Sequence, residues 1–324
     1  MLEAISENFK SLKLTKSISQ WMGTKLHSRP VLVNLEVTKA CNAKCGFCVC
    51  WTIKEHPQLK DYGPVLERIK PVVVSINGGE PLLRKDILNI VKQVKPHCAY
   101  TAIISNGALM TEEKAWALID AGLDQLTFSI DYFSEKHDET RHLPGVFKHL
   151  CALIPKIASQ GFRNIVINTI LMDSNLDDVI KLAEQANEWG VRISFSAFSA
   201  FKANDVTGLV QKERLHKLDE TLARLRTLKE KNGNIMSSDY FFDNVPVYFD
   251  KGGIGTQCMA GIKWVTVTPD GYIQPCSELG RVAHYTDYEP REMKPVDCDI
   301  CFYSCRAESE SPVTLKRVAT WLRQ

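Results

Sequence analysis

No run in the sequence approaches the roughly 20 uncharged apolar residues of a membrane span, and no apolar h-region follows Met1. Charge of one sign is also missing. Lys and Arg number 40 against 38 Asp and Glu, a net charge of +2, which excludes a strongly basic nucleic-acid binder. With 44% hydrophobic residues the chain is too apolar for a disordered tail. Internal repeats and low-complexity tracts are absent as well. What the 324 residues have in excess is cysteine, eleven in all. Nine of these fall into two sets: Cys41, Cys45, Cys48 and Cys50, then Cys258, Cys276, Cys298, Cys301 and Cys305. Disulfide frameworks belong to small secreted domains. An odd, clustered set in a large chain without a secretory signal reads instead as metal binding in a reducing compartment. The expectation is a cytoplasmic metalloprotein with no nucleic-acid partner.

Three segments follow from the patterning. In residues 1–30, Ile5, Phe9 and Leu12 recur at helical spacing among Lys10, Lys13 and Lys16. This basic amphipathic helix can dock on its own domain or lie peripherally on a membrane. From 31 to about 200, β-rich runs (31–37, 72–76, 100–104, 125–130, 164–170 and 192–198) alternate with helical stretches (84–94, 111–121, 145–159 and 176–189). Strand–helix alternation at roughly 30-residue spacing gives right-handed βαβ units and a parallel sheet. Six units are too few for an eight-fold barrel, so the fold class is α/β, a partial (β/α)6 barrel over 31–235. Ligands of such sheets sit at the carboxyl ends of the strands. A charged helix spans 211–231, and after Gly233 helical periodicity fades. Residues 236–324 then form a small cysteine-rich C-terminal module. Within it, strand alternation around Pro269-Asp270-Gly271 reads as a β-hairpin that brings Cys258 near Cys276.

Chemistry concentrates at the first strand's end, where Cys41-x3-Cys45-x2-Cys48 occupies one loop. Three close thiolates can hold three irons of a [4Fe–4S] cube and leave the fourth open; the alternative is a structural zinc completed by Cys50. Cys98 and Cys151 fall beside apolar positions and read as core thiols. His137 and His142 read as surface or hydrogen-bonded histidines.

The three-cysteine loop, with Phe47 before its last cysteine and a six-unit βα chain around it, resembles the radical S-adenosylmethionine (radical SAM) superfamily. Gly78-Gly79-Glu80-Pro81 after the second strand is similar to that family's GGEP motif, which receives the SAM amino group. Asn106, in Ser105-Asn106-Gly107, closes the third strand in the same layer. Ser129-Ile130-Asp131 resembles the segment contacting the ribose, and Arg141 lies where the family places a cation against the SAM carboxylate. The resemblance implies a [4Fe–4S] cluster that chelates SAM, cleaves it reductively and yields a 5′-deoxyadenosyl radical that abstracts a substrate hydrogen. It also implies an external electron donor such as a flavodoxin or ferredoxin.

Cys258, Cys276, Cys298, Cys301 and Cys305 resemble the SPASM and shorter twitch extensions, which hold auxiliary [4Fe–4S] clusters. The final cysteine and long ligand run of a full SPASM domain are missing. Five thiols suffice for one auxiliary cluster, formed by Cys258, Cys276 and Cys298 with Cys301 or Cys305, and a four-thiolate zinc is the alternative. Thirty N-terminal residues are short for a peptide-recognition domain. A small-molecule or lipid substrate is therefore expected ahead of a peptide. A non-catalytic metal-binding regulator or scaffold is the reading from another class.

Overall fold

The computed structural model describes residues 19–24, 26–53 and 56–314. Of the N-terminal helix expected within 1–30, residues 1–18 and 25 lie outside the described residues, and 19–24 and 26–27 are helical. Among the described residues no helix is long and apolar enough to cross a membrane.

Nine strands form one mixed sheet in the order β6-β5-β4-β3-β2-β1-β7-β8-β9. The first six are β1 (Leu32–Thr38), β2 (Val73–Gly78), β3 (Tyr100–Ser105), β4 (Gln125–Ser129), β5 (Ile165–Leu171) and β6 (Arg192–Ala197), all within two residues of the sequence expectation. Each pairs in parallel with its sequence neighbour, as right-handed crossovers dictate. The crossover helices bury regular apolar stripes. In Val146–Ser159 these are Val146, Leu150, Leu153, Ile154 and Ile157, three or four residues apart. Thr111 caps Glu112–Asp120 by accepting from the Lys114 N–H.

The C-terminal part extends the main sheet. β7 (Trp264–Val267) pairs in parallel with β1, and β8 (Tyr272–Gln274) and β9 (Ala283–His284) continue antiparallel beyond it. The expected hairpin is therefore built on the edge of the main sheet, turning at Asp270-Gly271. One hydrophobic core runs through the boundary drawn at 235/236, taking in Phe241, Val265, Val267 and Phe302 with the strands of the first half.

Helical periodicity does not fade after Gly233. Residues Asp239–Lys251 form a helix that buries Phe241, Phe242, Val245, Tyr248 and Phe249. Ser238 caps it and Gly252 ends it in the left-handed region. The signal was present in the apolar spacing; the aromatic content and the internal Pro246 obscured it. Residues 302–304 then return to the far strand: the Ala197 N–H donates to the Phe302 carbonyl (3.3 Å) and the Ser304 N–H to Ser196 Oγ (3.1 Å). The fully buried Phe302 ring stacks on Phe241, centroids 5.7 Å apart.

Phe302→Ala should lower stability by about 3–5 kcal/mol, the cost of deleting a buried aromatic side chain. Urea unfolding of the metal-free protein measures it, and a loss below about 1 kcal/mol would show that the ring does not anchor the C-terminal segment to β6.

Candidate functional site

Backbone contacts set the course of the first cysteine loop. The Gly79 N–H donates to the Thr38 carbonyl and the Glu80 N–H to the Ala40 carbonyl, both at 2.8 Å. The β1–β2 register breaks between Glu36 and Thr38, where the loop departs. The two backbones are so close that a Cβ on Gly78 would stand 2.1 Å from the Thr38 oxygen, and one on Gly79 2.1 Å from the Ala40 oxygen. Gly78 also has φ +133°, a conformation L side chains rarely adopt. Close backbone approach, the reason for glycine at both positions, is made here by the chain's own Thr38–Ala40 segment.

Glu80 binds the layer together. It is 1% exposed and accepts from the Leu82 N–H (3.0 Å), Ser105 Oγ (2.8 Å) and the Asn106 N–H (2.8 Å). Burial pushes its carboxyl above the usual range, opposed by these hydrogen bonds. Asn106 Nδ2 in turn donates to Asn42 Oδ1 on the cysteine loop (2.8 Å). Pro81 begins a short 3-10 turn, Pro81–Leu83.

Asp131 and Arg141 form a buried pair. Arg141 Nε and Nη2 donate to Asp131 Oδ2 at 2.9 and 2.6 Å, while Oδ1 accepts from the Ile170 N–H at 3.0 Å. Asp131 is fully buried and its carboxylate is turned into the protein, whereas Ser129 stays half-buried at the end of β4. The sequence reading gave Asp131 a ribose and Arg141 a ligand carboxylate; both carboxylate oxygens and two guanidinium nitrogens are engaged within the fold. The Arg141 carbonyl also accepts from the Lys44 N–H (3.0 Å), and its guanidinium lies 5.7 Å from the centre of Phe47. His137 is hydrogen-bonded, not at the surface. Its Nδ1 accepts from the Asp131 N–H (3.2 Å), and burial with the nearby Arg141 holds the ring down to about 4.

These contacts place Cys41, Cys45 and Cys48 on one braced loop beside a guanidinium. Burial pushes the Cys45 thiol up to about 11, while the Arg141 charge opposes the rise. Cys48 is the exception, lowered by a hydrogen bond from Cys50 and, against burial, by the Lys202 charge. Three thiols with a compensating cation suit an iron–sulfur group. Cys50 entered the sequence analysis only as the fourth ligand of the zinc alternative, and nothing in the periodicity around Lys202 marks that residue.

A cavity of about 300 Å³ opens at the strand ends. Cys48 of the first set and Cys305 of the second both stand in its walls, with Glu36, Lys202, Glu278 and Tyr303. The short spacing of Glu278 and Tyr303 from Cys276 and Cys301 was the available signal for them. A smaller cavity is lined by all five C-terminal thiols, Cys258, Cys276, Cys298, Cys301 and Cys305. Beyond the hairpin, the Cys258 N–H donates to the Cys298 carbonyl (3.1 Å), joining two parts of the set. Burial raises Cys258 to about 11 and Cys305 to about 12. Among the described residues, no three His, Cys, Asp or Glu are arranged to hold a metal ion. A single zinc needs its thiolates at about 2.3 Å from one point. Five thiols around one cavity are a donor set that suits a thiolate-held group.

Residues 35–186 match the model of the Radical SAM superfamily. The chain is 24% identical over 255 residues to a probable GTP 3′,8-cyclase of Methanococcus maripaludis, covering 75% of this chain and 83% of that protein. It is 24% identical over 256 residues to the mycofactocin maturase MftC of Mycobacterium tuberculosis, covering 76% of this chain but 64% of that one. Among solved structures it resembles Streptococcus suis SuiB. The form bound to S-adenosylmethionine gives a TM-score of 0.66 at 19% identity, over 83% of this chain and 67% of SuiB. The form bound to the precursor peptide SuiA gives 0.65 at 17%, over 84% and 66%. That likeness is one of fold. The class of protein is thereby defined at the level of the domain: residues 35–186 carry a radical SAM domain, and these likenesses support radical SAM enzyme activity.

Two outcomes are expected from this geometry. Gly79→Ala should destabilise the metal-free chain by about 1–3 kcal/mol or more in urea unfolding, because its Cβ meets immovable backbone; an unchanged midpoint would show that the loop yields. The His137 ring, lowered in the fold, stays neutral there while the unfolded chain takes up a proton below its ordinary value of 6.5. Stability is therefore complete above pH 6.5 and falls between 6.5 and about 4, by at most about 3 kcal/mol. His137→Asn keeps an acceptor for the Asp131 N–H and should flatten that part of the pH–stability profile.

Proposed function

We propose that this chain is a peptide- or protein-modifying radical SAM enzyme whose substrate segment enters the cavity between two iron–sulfur sites. The observation that carries this reading is the shared wall: Cys48 and Cys305, one from each cysteine set, line the same cavity of about 300 Å³. A relative named as a maturase, similar over 76% of the chain, supports a peptide over the small molecule or lipid expected from the short N-terminal segment. The fold shared with SuiB, solved with a precursor peptide, supports it too. A small-molecule substrate is the second reading, favoured by similarity over 83% of a GTP 3′,8-cyclase.

In this reading Cys41, Cys45 and Cys48 hold the SAM-binding cluster, and Gly78, Gly79, Glu80, Pro81, Asn106, Ser129, Asp131 and Arg141 frame SAM. Cys258, Cys276 and Cys298 with Cys301 or Cys305 hold the auxiliary one. When bound, cluster and SAM supply one-electron cleavage and the 5′-deoxyadenosyl radical, with the electron drawn from a flavodoxin or ferredoxin. The chain's own part is placement and shielding. Glu80 and Asn106 fix the loop, and Asp131 holds the Arg141 guanidinium beside the thiols. Lys202 and Glu278 offer charges of opposite sign to a polar segment.

Anaerobically reconstituted protein with SAM and a reductant should release 5′-deoxyadenosine, and Cys45→Ala should abolish it. Continued release from Cys45→Ala would falsify the assignment of the first loop. About eight irons per chain are expected, falling to about four in Cys276→Ala; zinc in place of those four would make the second site structural. Extract from deuterated cells, divided by size, then distinguishes the substrates: deuterium should reach 5′-deoxyadenosine from the peptide fraction, and transfer from the small-metabolite fraction alone would overturn the peptide reading.

A further inference from the structure

Two large side chains in the wall of the five-thiol cavity carry N–H groups, Arg306 and Trp264. Those of Arg306 are engaged. Nε donates to Glu310 (3.2 Å), Nη1 to the Cys301 carbonyl (2.9 Å) and to Asp299 (2.7 Å), and Nη2 to the Thr256 carbonyl (2.8 Å). This guanidinium, 1% exposed, clamps three segments of the chain together. Trp264 differs. It is also 1% exposed, yet its indole N–H is buried with no hydrogen-bond partner. A buried donor left unpaired costs about 1–3 kcal/mol. The indole shares one small apolar cluster with Cys258, Cys276 and Cys305. It is held there rigidly, since Trp264 begins β7 and pairs with Leu32 of β1. A phenylalanine would fill the same apolar space without the unpaired donor.

We propose that the Trp264 indole N–H donates a hydrogen bond to a sulfur atom, thiolate or sulfide, of the iron–sulfur group held by these five cysteines. Trp264 is then a positioning residue that tunes this centre, and the inference rests on the auxiliary-cluster reading above. An N–H···S bond strengthens as the cluster gains an electron and negative charge, so it raises the reduction potential. Its loss shifts the potential downward without removing iron.

The test uses the full chain carrying Cys41→Ala, Cys45→Ala and Cys48→Ala, so that only the C-terminal centre is read. It is reconstituted with iron and sulfide without oxygen and titrated by electron paramagnetic resonance, with and without Trp264→Phe. The expected result is about four irons in both and a lower potential in Trp264→Phe. Tryptophan labelled with ¹⁵N in the indole should add a hyperfine coupling to the reduced signal, missing in Trp264→Phe. Equal potentials with no ¹⁵N coupling overturn the inference and leave the cluster standing. A parent protein that takes up no iron overturns the auxiliary-cluster reading itself. Should Trp264→Phe fail to fold, the ¹⁵N coupling in the parent decides alone: its presence supports the bond and its absence overturns it.

Discussion

The contact on which the site depends is backbone against backbone: Gly78-Gly79 at the end of β2 pressed onto Thr38–Ala40 at the end of β1. Two hydrogen bonds at 2.8 Å seal it, and no side chain fits between. Everything that places the first thiols follows from it. The cysteine loop starts at this contact, and Glu80, the next residue, reaches back through Asn106 to Asn42 within that loop. Three adjacent strand ends are thereby joined before any cofactor is considered. A loop that must present three thiols in one geometry cannot rely on the group it binds to organise it.

Electrostatics reinforces that frame. The Asp131–Arg141 pair is buried, and such a pair contributes less through net attraction than through the cost of leaving either charge alone. Its geometric consequence is a guanidinium fixed beside Cys45 and Cys48, in surroundings where thiolate charge is otherwise disfavoured by burial. The same helix, Lys136–Arg141, donates no base or acid to the cavity; it holds charge in place.

The second half of the chain is integrated rather than appended. β7 lies beside β1 in the same sheet, and Phe302 and Ser304 reach β6 on the opposite side. Between these two places the segment passes the cavity at the strand ends, where Cys305 stands in the wall. That is why Cys305 shares a cavity with Cys48 although 256 positions separate them in sequence. The two thiol sets thus border one open cavity.

The sequence by itself determined the six parallel strands, because alternation of strand and helix with short loops leaves few other topologies. It determined the three-cysteine loop and the Gly78-Gly79-Glu80-Pro81 run, because local spacing is visible along the chain, and it placed the hairpin at Asp270-Gly271. Helix Asp239–Lys251 was legible in principle, through Phe241, Val245 and Tyr248, but its aromatic composition and Pro246 masked the period. What only the tertiary structure decided is which groups meet. That the glycines pack on backbone, that Asp131 and Arg141 hold one another, and that Lys202, Glu278, Tyr303 and Trp264 join the cysteine sites are facts of long-range packing. Spacing along a chain records what is near in sequence, and these contacts are made by parts of the chain that only the folded sheet brings together.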